Sequence, residues 1–145
     1  MGNATIIGRV VSSNTKLPYF SSYVAAGFPS PAVDHVEQQV SLDELLCINA
    51  PHTYLVRALG DSMTGAGIYD RDIMVVSRGV KAVPGDVVIA IVNGDSCVKR
   101  LTKVGEGYVL CSENAKYSPI HILEGDELLV WGVVTDSIHR QRAHG

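Results

Sequence analysis

No apolar run in this sequence approaches the roughly 18 residues that a membrane-crossing helix needs. The start, M-G-N-A-T-I-I-G-R-V-V, lacks the basic opening and long apolar block of a secretory leader, and Ile6 stands where a myristoylation signal requires Ser or Thr. Neither membrane insertion nor lipid anchoring is expected. Concentrated positive charge is also lacking. Twelve Lys and Arg against fifteen Asp and Glu give a net charge of −3, and the longest basic cluster is Lys99-Arg100 with Lys103. Direct binding to the phosphates of DNA is therefore not expected. The three cysteines, Cys47, Cys97 and Cys111, are odd in number and form no C-x-x-C pair. They read as buried or idle thiols in a reducing, cytoplasmic compartment. His35, His52, His121, His139 and His144 are scattered without metal-ligand spacing, so neither a metal nor a cofactor is expected. Repeats and low-complexity segments are missing as well.

What is present suits one domain with one core and an appended arm, in 145 residues of ordinary globular composition (46% apolar, 19% charged). Residues 1 to about 50 hold three of the six prolines, Pro18, Pro29 and Pro31, and read as extended or looped. The exception is S-L-D-E-L-L at 41–46, where Ser41 and Glu44 have the spacing of a capping box opening one short helix. From Thr53 onward, runs such as T-Y-L-V-R-A-L, D-I-M-V-V-S-R and D-V-V-I-A-I-V are short, rich in β-branched residues and bounded by Gly, Pro, Asp and Asn. Asn93-Gly94 predicts a two-residue hairpin turn, and Gly105-Glu106-Gly107 a second reversal. The expected fold is mostly β: a small twisted antiparallel barrel or sandwich with an extended N-terminal arm. The expected divisions are 1–26 as the arm, 27–50 as linker and short helix, and 51–145 as the β domain.

One piece of that β domain is not strand. G-D-S-M-T-G-A-G-I at 60–68 predicts a tight turn opening a short helical turn, which presents a side chain and free backbone N–H groups at one spot. A serine there, Ser62, becomes a nucleophile only with a base in reach. A lysine serves if burial keeps it neutral. Lys99 lies mid-strand in C-V-K-R-L, and the Asn-Gly register places it opposite Val88. The plainer reading is a lysine facing water and a serine capping a turn, and strand alternation alone does not say which face is buried.

G-D-S-M at 60–63 followed by V-K-R-L at 98–101, thirty-seven positions from Ser62 to Lys99, resembles the Ser–Lys signature of the self-cleaving LexA/UmuD family. A-A-G-F-P-S-P-A at 25–32 is similar to that family's cleavage site, and T-Y-L-V-R-A, Y-S-P-I at 117–120 and W-G-V-V at 131–134 add to the likeness, which runs from about Leu17 to Ser137. The resemblance implies Ser62 as nucleophile, Lys99 as general base, the backbone N–H groups of Ser62 and Met63 as oxyanion donors, and a scissile bond between Ala26 and Gly27. Asp61 and Met63 are read as shaping the turn. Two departures stand out. Arg71 occupies a D-R-D turn where the family has glycine, and Ala26 replaces a cysteine of the best-known UmuD-type site by the repressor-like alanine.

Only 26 residues precede Gly27, too few for a three-helix DNA-binding domain, so the resemblance is to the UmuD-like branch. It implies a homodimer whose self-cleavage is promoted by RecA–single-stranded DNA filaments, and which then serves a UmuC-type error-prone polymerase subunit. Two other readings compete: a polymerase- or RecA-binding β module with a vestigial peptidase motif, and a truncated phage or plasmid repressor relative. For the dimer, E-L-L-V-W-G-V-V at 127–134 reads either as an edge strand for pairing or as an internal strand.

Overall fold

A computed structural model describes residues 3–11, 13, 15–20, 36–48 and 51–142. The predicted cleavage site, Ala26 and Gly27, lies outside them. In chain order the elements are β1 (Ala4–Arg9), β2 (Leu17–Phe20), β3 (Val36–Val40), α1 (Leu42–Leu45), β4 (Thr53–Ala58), a 3₁₀ turn (Thr64–Ala66), β5 (Ile73–Ser77), β6 (Val87–Val92), β7 (Asp95–Val104), β8 (Gly107–Cys111), β9 (Ile120–His121) and β10 (Leu128–Ile138). They group into two compact units, residues 1–10 with 49–145, and residues 11–48. No helix among the described residues is long and apolar enough to cross a membrane.

The larger unit is one antiparallel eight-stranded sheet, ordered β1-β4-β5-β10-β6-β7-β8-β9. The mostly-β antiparallel reading therefore holds. The sheet curls until its first strand meets β7: Ser96 Oγ donates to the Ala4 carbonyl (3.3 Å), and the Val98 N–H donates to Asn3 Oδ1 (2.8 Å). Twist of the usual hand makes such closure cheap, and closure hides strand edges. Two apolar clusters fill the interior. Val56, Met63, Met74, Val76, Ile89 and Val98 lead one. Val88, Ala90, Cys97, Leu101, Leu110 and Val133 lead the other. Each fully buried aliphatic side chain contributes about 1.5–3 kcal/mol. Because β7 sends Val98 into the first cluster and Cys97 and Leu101 into the second, it is covered on both faces.

The structure adds two features to the sequence reading. Residues 4–9, assigned to an arm, form β1, paired with β4 from Ala4↔Ala58 to Arg9↔Tyr54 with a bulge between Ile6 and Gly8. Short strands without apolar alternation carry little signal in sequence. And β10 lies inside the sheet rather than at its edge: residues 128–133 pair with β6 and residues 133–138 with β5, so Val133 is the position of the E-L-L-V-W-G-V-V run paired on both sides. Gly132 sits at a bulge in that strand, where a Cβ would come 2.6 Å from Val76 Cγ1.

The predicted turns form as expected. Val92 pairs with Asp95 across Asn93 (φ 50°) and Gly94 (φ 89°), the two positive φ values of a type I′ turn, and this register sets Lys99 opposite Val88. In the smaller unit, β2 and β3 pair antiparallel from Leu17↔Val40. Ser41 caps α1, its Oγ accepting from the Glu44 N–H at 3.2 Å. The Glu44 carboxylate pairs with Lys16 Nζ, so half of the predicted capping box is realised.

Candidate active site around Ser62 and Lys99

Beyond β4 the chain turns at Gly60 (φ 85°), at the start of the connection that leads to β5. Its N–H donates to Asp70 Oδ1 (2.8 Å). The next residues wind into the 3₁₀ turn, closed at Gly67 (φ 78°). Met63 is buried as an anchor beneath it, and Ser62, 6% exposed, is held at its start.

A second segment clamps this turn from the side. The Asp61 carbonyl accepts from Asn114 Nδ2 (2.8 Å) and Thr64 Oγ1 (3.2 Å), and the Gly65 N–H donates to the Glu113 carbonyl (2.8 Å). The Asp61 carboxylate accepts from Tyr117 Oη and pairs with Lys116 Nζ at 2.7 Å. The Lys116 and Tyr117 hydrogen bonds hold its pKa below the usual carboxylate range. Gly65 is required for this fit, since a Cβ there would lie 2.5 Å from the Glu113 carbonyl oxygen. Asp61 thus shapes the turn, as its position in G-D-S-M predicted.

Lys99 enters from β7. It is 7% exposed, and burial pushes its ammonium pKa below that of an ordinary lysine, with Cys97 opposing to a lesser degree. The same burial raises the Cys97 pKa. Lys99 Nζ donates to Ser112 Oγ at 2.7 Å and lies 5.7 Å from the centre of the Tyr117 ring. Ser112 stands one step beyond the last β7–β8 pair, Arg100↔Cys111. On the opposite face of β7, Arg100 Nε meets Glu113 Oε1 at 2.5 Å, tying the clamp segment to the lysine strand.

Ser62 and Lys99 line one cavity of about 400 Å³, with Asn3, Leu59, Ser112 and Ile120 among its other walls. Among the described residues the two polar groups are bonded to others and not to each other: Ser62 Oγ accepts from Asn3 Nδ2 at 3.1 Å, and Lys99 Nζ serves Ser112. Hydrogen bonds of a catalytic pair are often slack before substrate arrives. Neither the Ser62 nor the Met63 N–H donates to another described residue. No group of three or more His, Cys, Asp or Glu among the described residues is placed to hold a metal.

Sequence reasoning brought Ser62, Met63 and Lys99 to one place but missed Asn3, Ser112 and Asn114. Their contacts join segments 13 to 95 positions apart, and Ser and Asn are too common in loops to signal such roles alone.

The chain is similar to known proteins over most of its length. The chain is 40% identical to Protein SamA of Salmonella typhimurium over 127 residues, 87% of each chain. It is 38% identical to Protein ImpA of Escherichia coli, covering 86% of this chain and 85% of that one. It is 37% identical to the LexA repressor of Bordetella avium over 83% of this chain and 56% of the repressor. The Peptidase S24-like family matches residues 18–135, a span that includes the Ser62 turn, the Lys99 strand and the Ser112–Tyr117 clamp, and the chain belongs to that family.

Proposed function

We propose that this protein is a Ser–Lys peptidase that cuts its own chain between Ala26 and Gly27. The observation that carries the reading is a buried lysine, held toward its neutral form by burial, on the wall of the same cavity as a buried serine in a clamped turn. Neutral Lys99 takes the Ser62 hydroxyl proton as Oγ bonds to the Ala26 carbonyl carbon. The N–H groups of Ser62 and Met63 donate to the resulting oxyanion. The Lys99 ammonium returns its proton to the Gly27 nitrogen as the C–N bond breaks, and Lys99 then activates the water that frees Ala26 from Ser62. Thirty-five positions separate Gly27 from Ser62, and at about 3.3–3.6 Å per extended residue the segment has ample reach.

The same reading makes the protein a cytoplasmic homodimer that RecA–single-stranded DNA filaments induce to cleave, and whose shortened form, residues 27–145, is an accessory subunit of a UmuC-type error-prone polymerase. Support for this part is the likeness to the UmuD-like relatives SamA and ImpA. The reading as a module with a vestigial motif expects an exposed or distant lysine, whereas Lys99 is buried and lines the Ser62 cavity.

Mass spectrometry of the purified chain, incubated with and without RecA filaments, tests the proposal. Fragments 1–26 and 27–145 should accumulate faster with filaments and be missing for Ser62→Ala. Cutting by Ser62→Ala, or at another bond, would overturn it.

A further inference from the structure

The cleft between β4 and β7 leads to Ser62, and in this structure it is filled by the chain's own first strand. Asn3 is the key. The Val98 N–H can only donate, so the atom facing it at 2.8 Å must be Oδ1, which turns Nδ2 toward Ser62 Oγ at 3.1 Å. A carboxamide offers a C=O and an N–H just as a peptide group does. Asn3 therefore puts a peptide-like group on the nucleophile while occupying a backbone donor of the strand that carries Lys99. The next residue repeats the pattern, its carbonyl accepting from Ser96 Oγ.

This strand is also weakly seated. None of its residues is fully buried, Ile6 and Ile7 are about half exposed, and its pairing with β4 is broken by a bulge. A cavity of about 300 Å³ remains between it and Val56, Ile89, Ile91 and Trp131. An unfilled space forfeits the dispersion contacts that would hold the strand down.

We propose that the β4–β7 cleft is the seat of the extended substrate segment, and that residues 3–9 plug it, so the substrate segment can enter only when β1 leaves. This rests on the self-cleavage reading and adds its regulation: the plug lies within the fragment that a cut at Ala26–Gly27 would release, so cutting removes it for good. Two variants release the plug. Asn3→Ala removes both carboxamide bonds, and Ile6→Pro, at an exposed position, disrupts pairing with β4 without touching the cavity that holds Ser62.

The test has a binding arm and a cleavage arm. In a Lys99→Ala background, a synthetic peptide of residues 22–30 is titrated into isotope-labelled full-length protein while the Val98 amide resonance is followed. Asn3→Ala and Ile6→Pro should each tighten binding about tenfold, the scale of one or two hydrogen bonds, and in the Lys99 protein each should speed self-cleavage by a similar factor. Tighter binding without cleavage in any variant would keep the plug and sink the dyad. Normal cleavage with neither rate nor binding altered in two folded variants would sink the plug and keep the dyad. Slower cleavage in both would make β1 a working part of the active site and overturn the proposal.

Discussion

Replacing Gly65 with alanine probes the clamp that sets the Ser62 turn. The new Cβ would sit 2.5 Å from the Glu113 carbonyl oxygen and 3.3 Å from its carbon, whereas ordinary contact begins near 3.4 Å. The obstruction is backbone, so no side-chain rotation relieves it. The Glu113 carbonyl must retreat by about 1 Å, which takes the 2.8 Å bond from the Gly65 N–H out of range. Overpacking of this kind costs about 1–3 kcal/mol and the lost hydrogen bond about 0.5–1.5 kcal/mol. Alanine's better helical propensity returns at most about 1 kcal/mol, and the φ of Gly65 does not favour glycine. The net loss is about 0.5–4.5 kcal/mol, a fall in Tm of about 2–14 °C for a chain of this length. Calorimetry measures the shift, and self-cleavage at a temperature where both proteins are folded measures the displacement of Ser62. The rate should fall at least about tenfold, because a misplacement of about 1 Å near reacting groups costs up to about a hundredfold. A Gly65→Ala protein as stable and as fast as the parent would refute the clamp.

Three further outcomes follow from the geometry. Ser112→Ala removes the acceptor that orients Lys99 Nζ, and because that bond favours the ammonium more than the amine, cleavage should slow while its pH inflection moves to lower pH; an inflection moving upward would contradict this. Arg71 holds φ 68°, a backbone state that costs a side-chain-bearing residue about 1–2 kcal/mol, so Arg71→Gly should raise Tm by a few degrees in a melting experiment. Tyr117→Phe removes one of the two side-chain hydrogen bonds that hold the Asp61 carboxyl pKa down, so that pKa, followed by NMR, should rise toward the ordinary aspartate range.

The β architecture is legible because β-branched runs bounded by turn-forming residues and Asn93-Gly94 each act locally, and a type I′ turn fixes register without outside help. Lys99 opposite Val88 followed from that turn alone. Its burial did not, since β7 is covered on both faces and alternation cannot separate two buried faces. Arg71 was flagged from sequence as standing where glycine is expected, and its positive φ shows why glycine suits the place. The site's supporting shell was invisible. Asn3, Ser112 and Asn114 act through contacts made only once the sheet has curled, and the place of β1 in the sheet is set by its pairing with β4, about 50 positions away.

The central claim is that Lys99 works as a neutral base. For a lysine whose pKa is lowered by burial, the neutral fraction grows as pH rises, and it does so below the ordinary lysine value of about 10.4. The most direct measurement is the first-order rate of self-cleavage across the range from about pH 6 to pH 11 for the parent chain and for Lys99→Ala. The account predicts a rate that climbs with pH to a plateau, inflects below the ordinary lysine range, and is lost in Lys99→Ala at every pH. A flat profile, or cutting that survives Lys99→Ala, would contradict it.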